Sequence, residues 1–271
     1  VCQHFGIIRV QSLEEAVLTA ALAGYTGPVR KGGLGVLSIS GGACEIVADA
    51  AESSGIELVT FAPETIERLS KILPDFGTAS NPLDVTGGVV AKPELFEDAL
   101  VAVGDDPNVA MVGVVQPLPA SEDHRVGANR ALLKALGQGF KRIPVPGTLV
   151  NQAVTPVTDV GQEAITEAEL PHVIGGLNTF IAAAARVFRW SRHLDAKPAP
   201  LRAGATATGQ RPSSEIETLR YLQSKGVPTI PFEVVENSAA VDAVAAKLGD
   251  RLVVKIASPD IQHKTEAGGV I

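Results

Sequence analysis

The sequence predicts an α/β protein: a mainly parallel, doubly wound sheet with helices on both faces, followed by the opening of a second domain. Three observations carry this. Short apolar runs alternate with single helices, the pattern that joins parallel strands through crossovers. Glycine is abundant, 27 of 271 residues, and aromatics are only 4%, a composition suited to tight packing of helices on a sheet. A stretch rich in Ala, Pro, Gly and Thr over residues 193–212 has no periodicity, and the helix–strand pattern restarts after it.

Taken in order, Gly6 to Val10 reads as a short strand. Ser12 caps a helix, with Glu15 three residues on as in a capping box, and this helix ends at Gly24. The basic, glycine-rich Pro28–Gly33 follows as a boundary. Gly35–Ile39 is a buried strand, and Ser40-Gly41-Gly42 turns it into a helix that Gly55 stops. Ile56–Phe61 is a strand, and Pro63 opens the next helix as its first residue. After a loop through Gly88, Pro93 opens another. Val109–Val115 is a strand, Glu122–Leu136 a helix, Ile143–Val150 a strand, Gly161–Glu167 a helix, His172–Ile174 a strand and Leu177–Trp190 a long apolar helix. Beyond the linker, Ser213 and Ser214 cap a helix over Glu215–Ser224. Thr229–Val235 is a strand, Asn237 caps a helix through Leu248, and Arg251–Ile256 is a strand. The boundaries are therefore 1–30 as the end of a preceding domain, 31–192 as a flavodoxin-like domain, 193–212 as linker and 213–271 as the start of another domain.

Charge and composition narrow the function. A net charge of −7 and a pI near 5.3 argue against nucleic-acid binding, which relies on a basic footprint. The apolar runs are too short for a membrane span. Two cysteines build no disulfide framework and no zinc motif, so no metal ligands are expected here and a reducing cytoplasm is the default. The chain starts without Met and stops just after a glycine pair, so both ends look cut.

Three segments could carry chemistry. Ser40-Gly41-Gly42-Ala43 brings free N–H groups and a helix dipole to one point where an anion fits, although a plain β–α turn uses the same residues for geometry alone. Ser80-Asn81-Pro82-Leu83-Asp84-Val85-Thr86-Gly87-Gly88 is unusual for a connector. Asn81 and Asp84 join the phosphate-binding candidates, against the alternative of an Asp that satisfies its own loop. In Val253–Val270, Lys255 stands in an apolar strand and needs an anion or a route to solvent, and a nucleotide phosphate is one such anion. His263-Lys264 followed by Gly268-Gly269 looks like a phosphate-handling loop, against the alternative of a charged hairpin. Cys44, about one helical turn in, reads as a small buried hydrophobe. His4, His124, His172 and His193 are scattered singly, as surface or packed histidines are.

These segments together resemble the NDP-forming acyl-CoA synthetases. VVKIASPDIQHKTEAGGV and LRYLQSKGVPTIPFEVV are similar to the start of their ATP-grasp domain. GVLSISGGACEIVADAAESSGIEL and SNPLDVTGG look like their CoA-ligase domain, of the succinyl-CoA synthetase type, and QHFGIIRVQSLEEAV resembles the end of the domain before it. The resemblance implies a reversible ligase that interconverts an acid, CoA and ATP with acyl-CoA, ADP and phosphate through an acyl phosphate and a phosphohistidine. It implies ATP/ADP, CoA and Mg2+ as cofactors, with the Mg2+ ligands outside this chain. It makes Ser40–Ala43 a cradle for the phosphoryl group and His263 a second phosphoryl carrier, with Lys255, Lys264, Gly268 and Gly269 at the nucleotide. The partners it implies are a small-molecule acid, CoA and nucleotide, with a homo-oligomer or pairing with the missing domains. The alternative is a non-catalytic regulatory module of the same family.

Overall fold

A computed structural model describes residues 2, 4–123, 126–196, 212–249, 251–258, 260–261 and 263–271. The chain divides into two compact units, Val1–Ala199 and Pro200–Ile271.

The first unit is a five-stranded sheet in the order β2-β1-β3-β4-β5, with every neighbouring pair parallel. This is the flavodoxin-like strand order. Its elements are α1 (Leu13–Thr26), β1 (Gly33–Ser38), α2 (Gly41–Ser54), α3 (Pro63–Ile72), β2 (Leu83–Asp84), a 3-10 turn (Gly87–Val90), α4 (Pro93–Gly104), β3 (Val109–Val115), α5 (Val126–Arg142), β4 (Gly147–Asn151), α6 (Asp159–Glu167), β5 (Val173–Gly175) and α7 (Leu177–Ala196). β1 and β3 are buried along their whole length, so their residues read as continuous apolar runs rather than alternating ones. Side chains still sort by face. Leu34, Val36, Met111 and Val115 pack with α1, α2 and α7. Leu37, Val112 and Val114 pack with α3, α4, α5 and α6. At Gly113 the Phe180 ring of α7 lies where a Cβ would stand, 2.5 Å away, so that position admits no side chain.

The capping box at Ser12 forms: Glu15 N–H donates to Ser12 Oγ at 3.2 Å, while the Glu15 carboxylate accepts from Gln11 N–H at 2.8 Å. Arg186 of α7 also donates to that carboxylate at 2.6 Å, so α1 is tied to α7 inside the first unit. Helix α1 continues past Gly24 to Thr26, and Gly27, at φ +61, ends it. The reason is tertiary: Tyr25 stacks on His172 with ring centroids 4.8 Å apart and donates to Gly147 O at 2.9 Å.

Four expected strands differ from the structure. Residues 6–10 form none. Of Ile56–Phe61 only a single parallel bridge forms, Leu34 with Leu58. Residues 229–235 form none, and Arg251–Ile256 contributes one antiparallel bridge, Lys255 with Val270. In α5 the helix begins at Val126 instead of Glu122, whose carboxylate turns to Arg130 at 2.8 Å. Strand β4 starts at Gly147 because Pro144 and Pro146 before it lack the N–H a ladder needs.

The stretch expected as a linker, 193–212, begins inside α7, which runs to Ala196. Residues 197–211 lie outside those described, as does His124. The second unit holds α8 (Glu215–Ser224), a 3-10 turn (Ser238–Ala240) and α9 (Val241–Leu248). Its last residues form a short antiparallel pairing in which Val254 and Ile271 exchange two hydrogen bonds of 2.8 Å each and Ile256 N–H donates to Gly269 O at 2.8 Å.

Candidate functional site

In a doubly wound sheet a ligand crevice opens beyond the carboxyl ends of the strands where the strand order reverses, here between β1 and β3. Ser40-Gly41-Gly42-Ala43 stands at that edge. Ser40 caps α2: its Oγ accepts from Ala43 N–H at 3.4 Å and its carbonyl from Cys44 N–H at 3.1 Å, while its own N–H donates to Ser38 Oγ at 3.1 Å. The N–H groups of Gly41 and Gly42 have no acceptor among the described residues. Gly41 and Gly42 are both exposed, and a Cβ built on Gly42 meets nothing within 4 Å, so no neighbouring group covers the first turn of the helix at that position.

Asp84 borders this space from the end of β2, in register with Ser38. Its Oδ1 accepts from Thr86 N–H at 2.8 Å, and its Oδ2 lies 3.1 Å from the place of a Cβ on Gly41. Asp84 therefore borders the first turn of α2, but an ionised carboxylate is an acceptor and offers a phosphate no donor. Thr86, two residues beyond Asp84, has φ +63 and ψ 165, a strained region that a β-branched residue rarely enters. Burial first, then Asp84 and Glu45, push the Cys44 thiol up to about 11, which agrees with a packed rather than a reactive cysteine.

Asn81 has another job than the one expected. Its Oδ1 accepts from Val36 N–H at 3.0 Å, and its Nδ2 donates to Leu34 O at 2.8 Å and to Val59 O at 2.9 Å. Both amide hydrogens are thus spent on backbone, leaving no donor for a phosphate. The side chain stands in for a missing stretch of strand along β1, between the Leu58 bridge and β2. A further polar group escaped the sequence reading: Gln116, 2% exposed at the end of β3, has an Oε1 without a partner. Strand alternation sets it on the face of Val112 and Val114, away from α2.

In the second unit, Lys255, His263, Lys264, Thr265 and Glu266 line one groove of about 370 Å³ together with Glu215. The turn through 264–268 is closed by Gly269 N–H donating to Lys264 O at 2.7 Å, with Gly268 at φ +67. Lys255 is exposed rather than enclosed by an apolar strand. The anion it needs is supplied by the chain itself: Glu215 Oε1 accepts from Lys255 Nζ at 3.1 Å, and Oε2 accepts from Lys264 Nζ. Hydrogen bonds from Lys264 and then Lys255 hold the Glu215 carboxyl below its ordinary range. Among the described residues no three His, Cys, Asp or Glu side chains group as metal ligands. None of the described helices is long and apolar enough to cross a membrane.

The sheet order and the helix N-terminus at its switch point define a doubly wound domain of the flavodoxin-like class, and the comparisons bear on what it does. The Ligase-CoA domain model matches residues 34–115, and the ATP-grasp domain model matches residues 204–271. The chain is 25% identical to an acetate–CoA ligase (ADP-forming) of Archaeoglobus fulgidus and 24% identical to a 4-hydroxybutyrate–CoA ligase (ADP-forming) of Nitrosopumilus maritimus. Each alignment covers 98% of the chain and 38% of the relative. In fold it is similar to the acetyl-coenzyme A synthetase 1 of Ca. Korarchaeum cryptofilum solved with phosphate and ADP, with a TM-score of 0.55 and 20% identity, over 74% of this chain and 42% of that one. The chain is thus similar to ADP-forming acid–CoA ligases over nearly all of its length, and it spans 38% of the length of these two relatives.

Proposed function

We propose that this chain is part of an enzyme that joins a carboxylic acid to CoA while converting ATP to ADP and phosphate. The observation that carries the proposal is the similarity over 98% of the chain to ADP-forming acid–CoA ligases, across two domains whose anion-binding features fall in separate sites.

In the first site, the N–H groups of Gly41 and Gly42 receive a phosphoryl group at the N-terminus of α2. Fixed backbone donors and a helix dipole suit a dianion because they need no reorganisation when charge arrives. In the second site, Lys255 and Lys264 hold nucleotide phosphates, and the turn at Gly268-Gly269 brings backbone close to them. The residues fit an anion there, since a carboxylate already bridges the two ammonium groups. His263, on the rim of that groove, receives the phosphoryl group from ATP: a neutral ring nitrogen attacks the terminal phosphorus, the bond to the bridging oxygen breaks and ADP leaves. The phosphoryl group then passes to the acid, and the CoA thiol displaces phosphate from the acyl phosphate. The Mg2+ ligands, the CoA site and the remaining acid contacts would come from outside this chain, through further domains or another subunit.

The test is product identity in the full-length protein. With acid, CoA and ATP, formation of acyl-CoA should release ADP and phosphate in equal amounts. Release of AMP and pyrophosphate, or ADP formation indifferent to acid and CoA, would overturn the assignment.

A further inference from the structure

Glu215 is the first residue of α8, and the helix does not need its side chain. Ser214 already caps α8, its Oγ accepting from Glu217 N–H at 3.2 Å. Glu217 folds back to accept from Ser213 N–H at 2.7 Å and Ser213 Oγ at 2.9 Å. Glu215 instead leaves the helix and crosses to two lysines 40 and 49 residues away in sequence. One carboxylate oxygen faces each ammonium group, as two oxygens of one phosphate would. Lys255 comes from the paired segment opposite Val270, and Lys264 from the turn that Gly269 closes, so their only common partner among the described residues is this carboxylate. His263 and Thr265 line the same groove, and Glu266 adds a second acid to it.

We propose that Glu215 is a built-in stand-in for a nucleotide phosphate, which incoming ATP must displace from Lys255 and Lys264, and that it thereby sets nucleotide affinity. The proposal rests on the reading of these lysines as phosphate ligands. The exchange is feasible on energetic grounds. Glu215 and Lys255 are both about two-fifths exposed and Lys264 is partly covered, so water screens the carboxylate's side of both pairs, and a group carrying more charge and a third oxygen can replace it. While the carboxylate is in place the lysines are unavailable, and apparent affinity falls by the fraction of time they are free. Releasing Glu215 also leaves a carboxylate at the N-terminus of α8, where the helix dipole favours it, so displacement does not strand a buried charge.

The test is ATP titration by calorimetry on the full-length protein, comparing wild type with Glu215→Gln, Glu215→Asp and Lys255→Met. Removing the competitor should tighten ATP binding about threefold to tenfold in Glu215→Gln. Glu215→Asp, too short to span both lysines, should tighten it by a smaller factor, and it decides the matter if Glu215→Gln fails to fold. The expected sign is opposite to that of structural damage, so a lower melting temperature with tighter binding still supports the proposal. Unchanged or weaker ATP binding in the Glu215 variants, with Lys255→Met weakening it, would overturn the stand-in while the nucleotide reading survives. If Lys255→Met also leaves binding unchanged, both fall.

Discussion

At the scale of single residues, the first site is a matter of what a backbone can offer when no side chain intrudes. Gly42 has open space where a Cβ would stand, so Gly42→Val meets no clash within the protein and adds bulk beside the N–H groups proposed to receive the anion. Acyl-CoA formation by the full-length protein should fall by about two orders of magnitude, as when fixed donors to a developing oxyanion are lost. The melting temperature should barely move, because Val is a better helix former than Gly. Full activity in this variant would remove the cradle from the mechanism. Cys44 gives a second check on the same site. Its thiol is pushed up to about 11 by burial first and then by Asp84 and Glu45. At pH 8 it should react with a thiol reagent far more slowly than an unperturbed cysteine. Asp84→Asn removes one negative neighbour, lowers the pKa and should speed the reaction. A rate unaffected by that change would mean the Asp84 carboxylate does not face α2.

At the scale of elements, the edge of β1 shows where sequence reading succeeds and where it stops. Its outer side is served in three pieces: the bridge at Leu58, the Asn81 side chain and the short β2. Asn81→Ala should cost about 3 kcal/mol, because it leaves the N–H of Val36 and the carbonyl of Val59 without their partner beside a buried strand. Urea unfolding at constant m-value measures this; a loss under about 0.5 kcal/mol would mean that water replaces the amide. Strand β3 is Val109–Val115 in sequence and structure alike, since an unbroken run of small and branched apolar residues bounded by polar ones has one reading. Helix α8 is likewise Glu215–Ser224 in both, because a serine cap and a glycine stop are local signals. Residues 56–61 and 229–235 misled because strand composition makes a strand only where a neighbouring ladder is available, and that is a long-range fact. The same division runs through the sites. The turn Ser40–Ala43 was legible as a strand running into a glycine helix start. The commitment of Asn81 to the sheet, and of Glu215 to Lys255 and Lys264, depends on contacts made across tens of residues.

At the scale of the whole molecule, the chain divides into two compact units, and the proposed reaction assigns one anion site to each, so the phosphoryl group has to pass from one to the other. His263 lines the groove with Lys255 and Lys264 and is exposed, so its ring is accessible to a phosphoryl donor there. Imidazole suits the role: its ring nitrogen is nucleophilic toward phosphorus, and the resulting phosphoramidate survives alkali while hydrolysing in acid. The bland alternative is a histidine that only hydrogen-bonds nucleotide or shapes the turn. Asparagine separates the two, because it keeps a hydrogen-bonding head of similar reach but cannot carry a phosphoryl group. The full-length protein is incubated with ATP labelled in the terminal phosphate, quenched in alkali and digested. A carrier role places acid-labile label on the peptide containing His263 and loses it in His263→Asn, with turnover down about a thousandfold or more. ATP affinity, measured separately, should stay within about threefold of wild type, since the proposed phosphate ligands Lys255 and Lys264 are untouched. Normal turnover in His263→Asn, with label found only elsewhere in the protein, would leave His263 a residue of the turn and return phosphoryl transfer to a direct route.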